Sequence, residues 1–278
     1  MTETQDSTDL ERTASESLMQ SYDAWEQVED QVNEILDQSL NPRGYDMLYD
    51  LVAELGLPAG ARALDVGCGR GPHAIHLAES FQMKVLGIDP VPYAIEAARK
   101  KLIERAGSNP GLAELVQFEV GWAEALPAED GSVDLIWCRD VLELVPDLKA
   151  AYQEFHRVLK PDGWALVYQM FASDPELRPP DVQAENVEPE YAEAAMKAAG
   201  LQIEKCIEVG SEFGEYAQEQ TGIAGRMLMH AARLLRAPDR YIEQFGKDNY
   251  DIALGDAYWH VYRLLGKINY RIYLLRAS

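Results

Sequence analysis

The sequence predicts an α/β fold: a doubly wound, mostly parallel sheet with a helical cap over its carboxyl edge. Three observations predict it. Residues 63–78, ALDVGCGRGPHAIHLA, read as an apolar strand, a glycine turn and a helix. Residues 84–90, KVLGIDP, follow as a second apolar strand that also ends in an acid. From there to Phe171, strand-length apolar runs alternate with helical patterns, as in a parallel sheet covered by helices on both faces.

The elements follow in order. Residues 1–17 are rich in Thr, Ser, Glu and Asp and are expected to form an acidic mobile tail. Leu18, Tyr22, Trp25, Val28, Val32, Ile35, Leu36 and Leu40 recur at helical spacing, which predicts an amphipathic cap helix over 18–43. Asn41-Pro42-Arg43-Gly44 breaks it, and a helix through Met47, Leu48, Leu51 and Leu55 opens an α/β domain over 44–210. The third strand should end near Gly121, and a fourth should run from Val133 to Trp137 with Cys138 at its tip. A helix leads to the turn Lys160-Pro161-Asp162-Gly163, where proline fixes φ and glycine supplies what other residues avoid. A further strand reaches Phe171, and a proline-rich loop, a helix over 191–199 and the strand LQIEKCIEV follow. Residues 211–265 are expected to be a helical lid insertion of two stretches, broken at Ala237-Pro238 and at Phe245-Gly246 and dense in Tyr, Trp, Phe and Met. Residues 266–278 should supply the last strand.

At 278 residues the chain can bury a full core, and its 47% hydrophobic content suits a globular protein. The net charge is −22, and residues 1–50 hold thirteen acids against two bases. Residues 224–278 reverse the balance, with nine bases and five acids. Such an acidic chain lacks the footprint for phosphate backbones, so nucleic acid is not expected as substrate. No apolar run nears the roughly 20 residues of a membrane span. The N-terminus has no signal-like pattern, so no membrane association and a cytoplasmic location are expected. Cys68, Cys138 and Cys206 show no metal-ligand spacing, and no metal is expected.

The chemistry centres on residues 65–71. Gly67, Gly69 and Gly71 form a tight turn after Asp65, and Pro72 suits the first helical position. Glycine lets the backbone bend sharply and lie against a ligand. A dinucleotide fingerprint has the pattern G-x-G-x-x-G, whereas here the third glycine falls one residue early. The carboxylate of Asp65 would repel a pyrophosphate but suit a ligand bearing an amine and a sulfonium. Asp89, about 20 residues on at the second strand tip, is placed to accept hydrogen bonds from ribose hydroxyls. A cap on the next helix, through the Pro90-Val91-Pro92 turn, is compatible with that role.

In these segments, with GSVDLIWCRDVLELV and LKPDG, the chain resembles the class I S-adenosylmethionine-dependent methyltransferases of small molecules. The resemblance covers residues 63–171 and implies a Rossmann-like, seven-stranded sheet with S-adenosylmethionine as cofactor. It implies that Asp65, Gly67, Cys68 and Gly69 hold the donor's amino-acid end, that Asp89 and Pro90 lie at the ribose, and that Cys138 lies under the donor. Trp122 stands where the family commonly has an Asp, so the base should meet the Trp122 indole and a backbone group near Ala123. Tyr22 is a candidate to close over the donor. Asp140 and Glu143, three residues apart and on one face if the segment is helical, are the candidate general bases, with Glu143 ranked first. Related enzymes often carry His where this chain has Leu144. His73, His76, His156, His230 and His260 read as packed or surface residues, with His73 near the donor's amino-acid end. The expected reaction is methylation of a small apolar or aromatic molecule, with O-methylation favoured and N- or C-methylation as alternatives. An NAD-dependent oxidoreductase and a non-catalytic cofactor-binding protein are the readings from other classes. Neither the acceptor nor the oligomeric state follows from the sequence.

Overall fold

The computed structural model describes Met19, residues 32–172 and residues 185–277. The chain divides into two units, Met1–Pro42 and Arg43–Ser278. In the first, residues 32–36 are helical and the helix ends ahead of the Asn41-Pro42 break. Residues 37–43 are described and are not helical, so the helix stops short of the expected end, while Leu18 and residues 20–31, Tyr22 included, and the expected tail lie outside the described residues.

The second unit is built on a seven-stranded sheet. Its strands are β1 (Arg62–Val66), β2 (Lys84–Asp89), β3 (Val116–Val120), β4 (Val133–Arg139), β5 (Leu159–Ala172), β6 (Leu201–Glu208) and β7 (Ile268–Ala277), in the order β3-β2-β1-β4-β5-β7-β6. β1 to β5 pair in parallel, and β7 runs antiparallel between β5 and β6. The chain leaves β1 for β2 on one side and returns to β4 on the other. This reversal opens a crevice outside the carboxyl ends of β1 and β4.

Helices cover both faces, which is why the central strands read as continuous apolar runs. In β4 every residue but Asp134 and Arg139 is buried. Against one face lie Leu48, Leu51 and Val52 of α1 (Asp46–Glu54), Leu77 and Ala78 of α2 (Pro72–Phe81), and Ile95 and Ala98 of α3 (Pro92–Ala106). The short α4 (Leu112–Leu115) precedes β3. On the other face are Leu148, Tyr152 and Phe155 of α5 (Leu148–Val158), with Ala192, Ala195 and Met196 of α6 (Pro189–Ala198). The doubly wound architecture expected from the alternation is the one observed.

Three local expectations change. Cys138 is not at a strand tip: β4 continues to Arg139, and Cys138 pairs with Val66 and Val167 inside the sheet. Lys160 to Gly163 do not form a separate turn but belong to β5, which meets Val133 at Leu159, slips register, and resumes as Leu135 against Trp164. The segment before β7 holds four helices rather than two: α7 (Glu212–Thr221), α8 (Ile223–Arg236), α9 (Pro238–Phe245) and α10 (Lys247–Leu264). The expected breaks at Pro238 and Gly246 hold, and Gly222, at φ 65°, adds another between α7 and α8. Among the described residues no helix is long and apolar enough to cross a membrane.

The irregularity in β5 makes Gly163 a packing requirement. A Cβ there would lie 2.8 Å from the Val133 carbonyl oxygen, which is backbone and cannot swing away. Gly163→Ala should therefore lower stability by about 1–3 kcal/mol in urea unfolding. Gly111→Ala, whose Cβ meets nothing within 4 Å, should stay within about 0.5 kcal/mol of wild type. Equal losses in the two variants would contradict this reading of the bulge.

Candidate functional site

A cavity of about 550 Å³ opens at the carboxyl ends of β1, β2 and β4. Its floor is the glycine loop. The Gly67 and Cys68 amides both donate to the Ile88 carbonyl, at 2.8 and 2.9 Å, which binds the loop to β2. The Gly69 amide donates to Asp89 Oδ2 at 2.9 Å, and the Val91 amide donates to Asp89 Oδ1 at 2.9 Å. Asp89 thus both caps the turn into α3 and holds the loop. Its remaining lone pairs are free to accept hydroxyl hydrogens.

The glycines serve different ends. Gly67 sits at φ 72°, and a Cβ there would come within 2.1 Å of Val141 Cγ2, so side-chain packing dictates it. Gly69 sits at φ 52°, and a Cβ there would meet nothing within 4 Å, so its bare face looks onto open space in the cavity wall.

The candidate residues divide. Gly67, Cys68, Gly69, Asp89, Pro90, Trp122, Ala123 and Asp140 line the cavity. Trp122 is 56% exposed, a large apolar ring without cover. Asp65, Cys138 and Glu143 lie behind the wall. Asp65 is 1% exposed; the Ala74 amide donates to its carboxyl, while Oδ2 has no partner. Burial, reinforced by Asp89, pushes its pKa up to about 7. Glu143 is 5% exposed with Oε2 unpartnered, and burial together with Asp140 pushes it up to about 8. At neutral pH Glu143 therefore holds a proton rather than accepting one. Burial raises the Cys68 and Cys138 thiols well above their ordinary range, so neither is a thiolate.

Residues 141–145 are not helical, so Asp140 and Glu143 do not share a helix face. Asp140 takes φ 57°, an uncommon conformation for a non-glycine residue, and donates its amide to the Tyr168 carbonyl at 3.1 Å. Its Oδ2 pairs with Arg139 Nε at 3.0 Å.

Arg139 and His73 also stand on the cavity wall; the sequence reading sets His73 near the donor's amino-acid end as a packed residue and does not single out Arg139. The one sequence signal for Arg139 is a lone base ending an apolar strand. No cluster of metal-ligating side chains exists among the described residues.

Asp65 yields a pH-dependent prediction. Its folded-state pKa is raised from the ordinary carboxylate value, so the folded chain favours the protonated form. That contribution is complete below about pH 4 and is lost as pH rises through about 7. Asp65→Asn stays neutral and should melt higher than wild type at pH 8, with the gap closing at pH 4. A gap independent of pH would contradict the burial account.

Residues 64–167 match the family model described as a methyltransferase domain. The chain is 32% identical over 124 residues to phosphoethanolamine N-methyltransferase 1 of Triticum aestivum, covering 45% of this chain and 24% of that one. It is 35% identical over 116 residues to 27-O-demethylrifamycin SV methyltransferase of Amycolatopsis mediterranei, covering 41% of this chain and 40% of that one. The chain thus spans between a quarter and two fifths of the length of these two relatives. In fold it is similar to the [4+2]-cyclase SpnF, with a TM-score of 0.64 and 23% identity over 90% of this chain and 93% of that one. The glycine loop, Asp89 and the tip of β4 all fall within the segment that matches the methyltransferase domain model, and the fold around them is Rossmann-like.

Proposed function

We propose that this chain transfers a methyl group from S-adenosylmethionine to a small molecule, with the cavity over β1, β2 and β4 as the donor site. The observation that carries this reading is the pairing of Asp89 with the Gly69 amide beside the open face of Gly69. A carboxylate held by two amides is oriented to accept ribose hydroxyls, and a bare glycine lets the ligand approach the backbone. The Trp122 ring and the Ala123 backbone offer a stacking surface and a polar group for the base. When bound, the donor supplies a methyl group on a positively charged sulfur.

For an acceptor that must lose a proton, Asp140 is the candidate base that lines the cavity, where Asp89 and Glu124 are the other carboxylates. Burial raises its pKa, and the Arg139 guanidinium opposes that rise. This favours Asp140 over Glu143 as the base. Beside it the rings of Tyr45, Tyr168 and Tyr270 pack together, with Tyr168 stacked on Tyr270 at 4.4 Å. Those rings belong to the core and none of them lines the cavity. The wall beside Asp140 is apolar, with Val141, Leu144, Val145 and Pro146, which suits an apolar or aromatic acceptor, with O-methylation favoured. The net charge of −22 argues against nucleic acid as the acceptor. We assign the four helices α7 to α10 the role of a lid.

A second reading rests on the likeness to a chain named as a cyclase. One fold hosts many reactions, so the cavity is also compatible with a non-methylating one. Incubating the protein with methyl-labelled donor and a metabolite extract, followed by mass spectrometry, separates the two: label on a small molecule supports the proposal, an extract left without label favours the non-methylating reading, and label on RNA or protein contradicts a small-molecule acceptor.

Calorimetry tests the donor site. S-Adenosylhomocysteine should bind with a dissociation constant on the order of micromolar. Asp89→Ala should weaken binding at least about tenfold, because it removes a charged acceptor and frees the loop. No binding to the wild-type protein would remove the proposal.

A further inference from the structure

The helix α8 carries a surface unlike the rest of the chain. Ala224, Ala231 and Leu234 are buried, and the Tyr250 hydroxyl of α10 donates to the Leu234 carbonyl at 3.4 Å, so this side faces the neighbouring helix. Leu228, Met229 and Leu235 lie away from it, each more than half exposed. Positions seven apart stand about two turns along one stripe of a helix. Leu228 and Leu235 form one such stripe, Met229 and Arg236 the next, and Arg226 and Arg233 a third beyond them. The outward surface thus passes from an apolar edge to a cationic one. Helix α9 buries none of its residues, and Phe245 at its end and Ile252 on α10 add further exposed apolar groups.

The charge on this face runs against the composition. The chain holds 47 acids against 25 bases, yet residues 220–238 contain three arginines and no Asp or Glu. Elsewhere arginines find carboxylates: Arg43, Arg105, Arg157, Arg271 and Arg276 are each ion-paired. Arg226, Arg233 and Arg236 are exposed and have no ion-pair partner among the described residues. On the adjoining α10, Asp251 is taken by Lys247. Three unanswered cations beside three large apolar side chains make a surface for a partner that is both anionic and apolar.

We propose that α8 docks on the surface of an anionic lipid bilayer, with Leu228, Met229 and Leu235 in the interface and the three arginines among the phosphates. A helix lying in that plane needs an apolar stripe edged by cations, and arginine can bury its stem while its head stays with the headgroups. Parallel apolar and cationic rows along the length of the helix match a planar, layered partner. The lack of a long apolar run, from which no membrane association is expected, excludes a span and not this attachment. Acids elsewhere on the chain oppose the approach only weakly, because exposed charges are screened beyond about 8 Å at physiological salt. An apolar acceptor of the kind proposed above partitions into the same interface, but the attachment stands without that reading.

Sedimentation of the full chain with vesicles tests this. Wild type should bind vesicles of equimolar phosphatidylcholine and phosphatidylglycerol, bind pure phosphatidylcholine at least about tenfold more weakly, and be released by high salt. Replacing Arg226, Arg233 and Arg236 together by Gln should lower binding at least about tenfold. Leu228→Asn combined with Leu235→Asn should do the same, and neither variant should change the melting temperature, because all these positions are exposed. Ile103→Asn, at an exposed apolar position of α3, should leave binding as it is. Wild type that ignores the anionic vesicles, or that binds neutral and anionic ones alike, overturns the proposal, as does binding that survives the arginine changes. Wild type that ignores vesicles but self-associates, with the leucine variant monomeric, assigns the face to a second copy of the chain instead.

Discussion

The geometry of the site depends on one carboxylate. Asp89 accepts the Gly69 amide on one oxygen and the Val91 amide on the other, each at 2.9 Å, and so joins the loops that follow β1 and β2. Hydrogen bonds to an ionised acceptor are shorter and stronger than neutral ones, and here they act on two loops that lack regular structure of their own. The Ile88 carbonyl, one residue earlier, takes the Gly67 and Cys68 amides. The tip of β2 thereby sets the path of the whole glycine loop. The residue we propose to meet the ribose is thus also the residue that holds the glycine loop.

Around that centre the chain keeps carboxyl groups in different states. Asp89 is satisfied by amides, Asp140 is paired with Arg139, and Asp65 and Glu143 are buried, each with one oxygen unpartnered. Burial without a counter-charge favours the neutral acid, which separates the roles of Asp140 and Glu143 although they lie three residues apart. The strained φ of Asp140 has the same origin: the chain turns there to bring its amide to Tyr168 and its carboxyl to Arg139.

Much of this is legible in the sequence where the cause is local. The glycine loop, Pro72 at the start of α2, the apolar strands and the acids at their tips follow from turn chemistry and periodicity within short windows. The open α/β architecture follows from their alternation. What is not legible depends on partners distant in sequence. The inward fate of Asp65 is set by the Ala74 amide and by the wall around it. The withdrawal of Glu143 comes from a non-helical turn, where a spacing of three residues suggests a shared helix face. The requirement for Gly67 comes from Val141, which lies more than seventy residues away. Arg139 reads as a charge at a strand end, and only the fold sets it beside His73 and Tyr45. Gly222, which splits α7 from α8, is a local signal masked by the helical pattern on either side of it.

The central claim is that Asp89 serves the loop and a nucleoside at once. A crystal structure with S-adenosylhomocysteine tests it most directly. The account predicts both ribose hydroxyls within hydrogen-bond distance of the Asp89 carboxylate, with the Gly69 and Val91 amide bonds kept. A nucleoside seated elsewhere, or an Asp89 that gives up the Gly69 amide to reach the sugar, would contradict it.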